Sequence, residues 1–221
     1  MARQTVAILL LALAGSAVAV AQQQQHGRLF PPENLGLLEG PDREVWQRPD
    51  QIMDALRIAD GSVVADLGAG SGWFTIRLAR RVGPNGKVYA EDIQREMFES
   101  IDRRRKREGL RWVEPILGTA SDPGLPTGKL DAALIVDAFH EMEEPVVLLR
   151  NVAKSLKPVG RLGIVNFTKA GFGPGPPMDE RVDPEVVIRD AEAAGLRVVA
   201  RPDFLPFQYM LVLERAGQRA R

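Results

Sequence analysis

Val63–Thr75 reads VVADLGAGSGWFT, and its interpretation decides the fold. Ser62 to Leu67 is a short apolar, β-branched run of the kind found in strands covered on both faces. Gly68, Gly70 and Gly72 follow, and then Trp73, Phe74, Ile76, Leu78 and Ala79 recur at helical spacing. Strand, glycine turn and helix form the opening unit of a doubly wound α/β sheet. Ligands in such sheets sit outside the carboxyl ends of the strands. Glycine there permits positive φ and a close approach of backbone to ligand.

The spacing discriminates between ligands. A dinucleotide-binding turn places its third small residue three positions after the second glycine, G-x-G-x-x-G or G-x-G-x-x-A. Here that position is Trp73, and the pattern is G-x-G-x-G. Asp66 also stands two residues before the first glycine. A carboxylate repels a pyrophosphate but attracts an ammonium or sulfonium. On these residues the segment resembles motif I of the class I S-adenosylmethionine-dependent methyltransferases. The resemblance implies that Asp66, with the backbone of Gly68, Ala69 and Gly70, orients the methionine end of the cofactor. Gly72 would permit close strand–helix packing. A nicotinamide-dependent oxidoreductase is the alternative enzyme, and a non-catalytic exported binding protein on the same fold is the alternative outside enzymes.

The 221 residues allow one α/β domain and little else. Formal net charge is zero, so no global field recruits nucleic acid or a membrane surface. Cysteine is absent, which excludes disulfides and thiol catalysis, and two histidines are too few for a histidine metal cluster, so no metal is expected.

The N-terminus reads as a targeting segment. Arg3 precedes the apolar run Thr5–Ala21, which ends in the A-x-A site Ala19-Val20-Ala21, a secretory signal peptide pattern. The run is short for a spanning helix, which needs about 20 residues; an uncleaved anchor is the alternative. The expected product is exported, periplasmic and not stably inserted in a membrane. Residues 22–40 read as a flexible leader, polar through His26 and irregular from Arg28 to Gly40, with Pro31 and Pro32. The domain proper is expected over 41–221. Trp46, Ile52, Met53 and Leu56 lie at helical intervals around Pro49 and predict a helix or helix pair capping the sheet, with Trp46 as core, pocket lid or substrate-stacking ring.

Lys87–Ile93 (KVYAEDI) is the second strand, ending in Glu91 and Asp92. An acid about 20 residues past the glycine turn is placed to grip a ribose, because a carboxylate accepts two hydroxyl hydrogen bonds. The resemblance assigns that role to Asp92, beside Ile93; one residue of register separates it from Glu91. Arg95–Glu108 is a charged helix, Met97, Phe98 and Ile101 inward and Gly109 at C′, whose run Arg103–Arg107 interleaves with acids and reads as a solvated face. After the third strand, Arg111–Leu117, comes GTASDPGLPTGK, residues 118–129. The family often places an adenine-reading acid directly after this strand. Thr119 holds that position here, so Thr119, the Ala120 amide and Asp122 are each candidates, with Asp122 equally readable as a simple turn residue before Pro123.

Leu130–Val136 is the fourth strand, with Asp137, Ala138, Phe139, His140 and Glu141 at its carboxyl end. His140 is a candidate base or substrate contact, or a histidine bonded at a strand end; Asp137 is a candidate cofactor or catalytic contact, or a cap. A helix from Pro145, a strand over Pro158–Phe167, a Gly/Pro-rich loop Thr168–Met178, a helix bracketed by Asp183, Pro184 and Gly195, and strands Leu196–Ala200 and Gln208–Leu213 complete the chain. LKPVGRLGIVNF is similar to the segment before the fifth strand of these enzymes. With VADLGAGSGWFT, GTASDP and FLPFQYMLVLE, the chain resembles signal-bearing bacterial methyltransferases of unassigned substrate. That implies a mostly parallel seven-stranded sheet whose last strand runs antiparallel beside the fifth, with S-adenosylmethionine as cofactor. Methyl transfer needs orientation above all, worth about 7–11 kcal/mol; a general base adds about 10²–10⁴-fold only where the acceptor must lose a proton. The acceptor is expected to be a small molecule. Phe172 and Trp46 hint that it is apolar.

Overall fold

In the computed structural model, residues 29–170 and 173–217 are described. The signal segment, His26 and Phe172 lie outside them.

Seven strands are β1 (Val63–Leu67), β2 (Lys87–Asp92), β3 (Val113–Leu117), β4 (Leu130–Val136), β5 (Leu156–Phe167), β6 (Leu196–Ala200) and β7 (Gln208–Arg215). They form one sheet in the order β3-β2-β1-β4-β5-β7-β6. β1 to β5 are mutually parallel along the ladder, and β7 is antiparallel to both neighbours, β5 and β6. The chain thus leaves β1 in both directions, toward β2 and toward β4, and the strand ends diverge there. A crevice at this switch point is a consequence of topology.

Period-2 alternation divides the apolar strand residues between the two faces. Val64, Val88, Ala90, Leu134 and Val212 pack with Ile52 and Met53 of α2 (Pro49–Ala55), with Phe74 and Leu78 of α3 (Trp73–Val82), and with Ile101 of α4 (Met97–Arg107). Ala65, Leu67, Ile135, Ile164 and Leu213 pack on the other side with Leu149 and Val152 of α5 (Pro145–Ser155) and Val187 of α6 (Pro184–Ala193). Gly72 caps α3 at φ 81°, and a Cβ there would sit 2.9 Å from Ile101 Cγ1. Only a residue lacking a side chain lets α4 come this close.

The predicted cap before β1 is a helix pair, α1 (Arg43–Gln47) and α2, separated at Arg48 in the left-handed region. Asp183 holds the N-cap position of α6, but its side chain pairs with Lys169 Nζ at 3.2 Å instead of capping. The arginine-rich run of α4 is neutralised locally: Arg105 meets Asp102, Arg103 faces Glu99 and Arg104 bonds Glu39.

The lead-in carries local structure where it is described. Pro32–Glu39 forms a 3₁₀ helix whose Asn34, Leu37 and Leu38 line the cavity at the strand ends. Phe30 N donates to Glu141 Oε2 at 2.8 Å, and its carbonyl accepts from Gln94 Nε2 at 3.1 Å. Two prolines limit this segment's conformational freedom, and its apolar residues Leu29, Phe30 and Leu38 have a cavity to cover. Among the described residues no helix is long and apolar enough to cross a membrane.

Candidate functional site

The strand ends open into one cavity of about 910 Å³ that runs from the glycine turn to the loop after β5. Its floor follows from the register. Asp66 pairs with Ala90 and Leu67 with Glu91. Asp66, Ala90 and Asp92 therefore share the α3 face, while Glu91 turns to the α5 face with Leu67. Both β2 acids still line the cavity, because the turn at Gly68 and Gly70 leaves the strand ends uncovered.

Asp92 ties the turn to β2. Gly70 N donates to its Oδ2 and Gln94 N to its Oδ1, both at 2.9 Å. Each oxygen keeps a further lone pair, the number a vicinal diol needs. Burial raises its pKa, opposed by the backbone amides of Gln94, Gly70 and Ile93. Asp66 is buried and takes the Thr75 hydroxyl on Oδ2 at 2.6 Å. Burial pushes its pKa up to about 6, with the Thr75 bond and the Arg43 charge holding it down and the Asp92 charge adding to the rise. Glu91 Oε2 accepts weakly from Gly68 N at 3.4 Å, and its buried Oε1 has no partner. A Cβ on Gly118 would lie 1.9 Å from that oxygen. Burial, then the neighbouring Asp92 and Asp66 charges, lift Glu91 to about 8.

Ile93, Thr119 and Ala120 form the outer edge beside β2 and β3. Ile93 is 39% exposed, a flat apolar ledge on the cavity. The Thr119 hydroxyl lies 3.3 Å from Asp122 O and accepts from Asp122 N at 3.0 Å. Asp122 itself is exposed, outside the lining, and accepts from Gly124 N at 2.9 Å. It is a turn residue. That leaves Thr119 and Ala120 at the cavity edge.

On the far side of the switch point, Asp137 has φ 56°, unusual for a residue with a side chain. Gln208 Nε2 donates to both of its oxygens at 2.7 and 2.8 Å, and Gln47 Nε2 donates to Gln208 Oε1 at 2.6 Å. Burial lifts Asp137 to about 7 against the charges of Arg43 and Arg181 and the Gln208 bond. His140, on a 3₁₀ turn Phe139–Glu141, lines the cavity with Nε2 3.7 Å from Glu141 Oε1. Burial lifts Glu141 to about 7 as well.

Several lining residues carried no signal in their own neighbourhood. Arg43 of α1 lies with its guanidinium 4.3 Å from the Trp73 ring and donates to Leu38 O at 2.5 Å and Gln47 Oε1 at 3.1 Å. Its spacing from Trp46, three residues along one helix face, was the available clue. Trp46 meets Phe167 and Phe207 at centroid distances of 5.7 and 6.2 Å. Gly/Pro-rich residues Pro174–Pro177 close this end. They are pinned by buried Arg181, which donates to the carbonyls of Thr168, Pro174 and Pro176 at 2.9–3.1 Å. Among the described residues, no group of His, Asp or Glu is arranged to hold a metal ion.

The donor set suits a cofactor carrying a sulfonium, an ammonium and a ribose. Carboxylates stand at two adjacent strand ends, the turn passes at positive φ with its Gly68, Ala69 and Gly70 amides spent on β2, and Glu91 keeps an unpartnered oxygen. Trp73 is buried as the first residue of α3, where a dinucleotide turn needs a small one. Comparison with known proteins agrees. Residues 64–160 match the family described as a methyltransferase domain. An uncharacterized methyltransferase of Mycobacterium tuberculosis is 32% identical over 72% of this chain and 60% of its own length. A ubiquinone/menaquinone biosynthesis C-methyltransferase of Pasteurella multocida is 29% identical over 59% of this chain and 48% of its own. This chain thus spans 60% or less of these curated relatives. The crystal structure of a SAM-dependent methyltransferase from Aquifex aeolicus superposes with a TM-score of 0.79 at 28% identity, covering 84% of this chain and 98% of that one. By its methyltransferase domain over residues 64–160 and by its fold, the chain is similar to the class I S-adenosylmethionine-dependent methyltransferases, and S-adenosylmethionine is the cofactor that its site suits.

Proposed function

We propose that the protein transfers a methyl group from S-adenosylmethionine to a small-molecule acceptor held in the same cavity. The observation that carries this reading is the placement of Asp66 and Asp92 on one sheet face across the glycine turn, in a cavity that continues past the cofactor end to Asp137, His140 and an aromatic wall. Asp66, steadied by Thr75, faces the cationic methionine end with the backbone of Gly68, Ala69 and Gly70. Asp92 takes the ribose hydroxyls. Ile93, Thr119 and Ala120 border the adenine. Asp137 and His140 lie on the acceptor side, where either can take up a proton. The cofactor supplies a methyl on a good leaving group; the protein supplies alignment and exclusion of water.

Calorimetric titration with S-adenosylhomocysteine tests the cofactor half: the parent binds and Asp92→Ala loses at least tenfold in affinity. Equal binding by that variant removes the ribose assignment. The run Thr5–Ala21 supports export, and intact-mass measurement of protein recovered from a periplasmic fraction is expected to show cleavage after Ala21. Uncleaved protein in the cytosolic fraction would refute it.

A further inference from the structure

The acceptor end of the cavity has a chemistry of its own. Three residues form a hydrogen-bonded chain, Gln47 to Gln208 to Asp137, and each step lies beside an aromatic ring. Trp46 precedes Gln47, Phe207 precedes Gln208, and Phe167 is the register partner of Gln208 across β5 and β7. These rings converge on Trp46. Because Gln208 Oε1 is taken by the Gln47 amide, its NH₂ must point at Asp137, which fixes both Asp137 oxygens as acceptors. The positive φ of Asp137 is a local conformational cost retained beside this wall. Charge around it is one-sided: Asp42, Asp66, Asp92, Asp137, Glu143 and Glu180 line the cavity, while Arg43 is its one arginine among the described residues and no lysine lines it. Arg181, outside the lining, lies 5.3 Å from the centroid of the Phe167 ring, and its charge is felt at Asp137.

Resting on the methyltransferase reading above, we propose that the acceptor is a small amine on an apolar body, methylated on nitrogen, its ammonium docked between the Asp137 carboxylate and the Trp46–Phe167–Phe207 wall. Aromatic faces and a desolvated carboxylate both favour a cation. A carboxylate or phosphate acceptor would add charge of the sign already in excess. In the reaction the docked ammonium gives one proton to Asp137. The freed lone pair forms the new N–C bond as the C–S bond breaks with its electron pair left on sulfur. The product is a methylated ammonium plus the thioether, and the Asp137 proton passes to water.

The test uses 2-phenylethylamine with two isosteres, 2-phenylethanol and phenylacetate, titrated calorimetrically into the full-length protein saturated with S-adenosylhomocysteine. The amine is expected to bind at least tenfold more tightly than either isostere. Asp137→Asn should reduce it to the level of the alcohol, and Trp46→Leu should weaken the amine more than the alcohol. With S-adenosylmethionine, N-methylated amine and S-adenosylhomocysteine should form in equal amounts. Amine binding no tighter than the alcohol or the anion, or a preference that survives in Asp137→Asn, overturns the proposal. Failure of S-adenosylhomocysteine itself to bind would instead overturn the methyltransferase reading. If Asp137→Asn does not fold, the parent's three-ligand ranking and Trp46→Leu decide.

Discussion

Glu91→Gln should stabilise the protein, and by an amount that grows with pH. Glu91 is 4% exposed, one of its oxygens has no partner, and its pKa stands at about 8 against an ordinary 4.5. Burial is the main cause, with the Asp92 and Asp66 charges adding to it. The folded state therefore holds a proton that the unfolded chain releases above pH 4.5. Stability is fully present below that value and is lost as pH rises toward 8. At about 1.4 kcal/mol per pKa unit, the gap sets a ceiling of about 5 kcal/mol; mutational values for buried unsatisfied groups suggest about 1–3 kcal/mol. The amide has the same shape, cannot ionise and still offers Gly68 N an acceptor. Parent and variant should thus melt within a degree or two at pH 4.5. At pH 8.5 the variant should melt higher by roughly 2–12 °C, at about 2–4 °C per kcal/mol for a domain of this size. Asp66, Asp137 and Glu141 also make the parent weaker at high pH, so the quantity to read is the difference between the two proteins. Scanning calorimetry without ligand at pH 4.5, 6.5 and 8.5 measures it. A constant difference across the series, or a variant less stable at pH 8.5, refutes the account of Glu91 as a buried neutral acid.

Three other substitutions probe separate links. Gly72→Ala forces a left-handed residue into contact with Ile101, and urea unfolding should show a loss of about 2 kcal/mol or more; an unchanged midpoint would show that α4 moves aside freely. Thr75→Val removes the donor that holds the Asp66 pKa down, so Asp66 stays protonated to higher pH. S-adenosylhomocysteine affinity should then fall several-fold at pH 6.5 and recover toward the parent's at pH 8.5, a pattern that equal losses at both pH values would contradict. Arg181→Met leaves the carbonyls of Thr168, Pro174 and Pro176 without their shared donor. Limited proteolysis should cut between Gly173 and Met178 at least tenfold faster, with calorimetric S-adenosylhomocysteine affinity within twofold of the parent; unaltered cleavage would mean the loop is held by its prolines alone.

The two halves of the site were unequally legible, for a reason rooted in chain connectivity. Strand, turn and helix around Val63–Thr75 are contiguous, so apolar run, glycines and helical spacing could be read together, and Asp92 sits one short crossover away. Even there, the choice between Glu91 and Asp92 is a matter of strand pleat, and one residue exchanges the sheet faces. The register with β1 puts Asp92 on the side of Asp66. At Asp122 the sequence leaves a turn role and an adenine contact equally open, and the folded loop favours the turn, through its bonds with Thr119 and Gly124. The proposed acceptor half is assembled from residues 46–47, 137, 167 and 207–208. No spacing rule joins these positions. Their meeting depends on α1 folding back over the strand ends and on β7 entering antiparallel between β5 and β6, which sets Gln208 opposite Phe167. Gln208 did leave one trace, a polar residue opening an otherwise apolar strand, which a buried partner would have to satisfy. The division has a functional corollary. The cofactor half rests on β1, β2 and β3, and the aromatic–amide wall rests on α1, β4, β5 and β7. Under the proposed acceptor site, substitutions at Trp46, Phe167 or Phe207 change acceptor preference without passing through the Asp66–Asp92 pair.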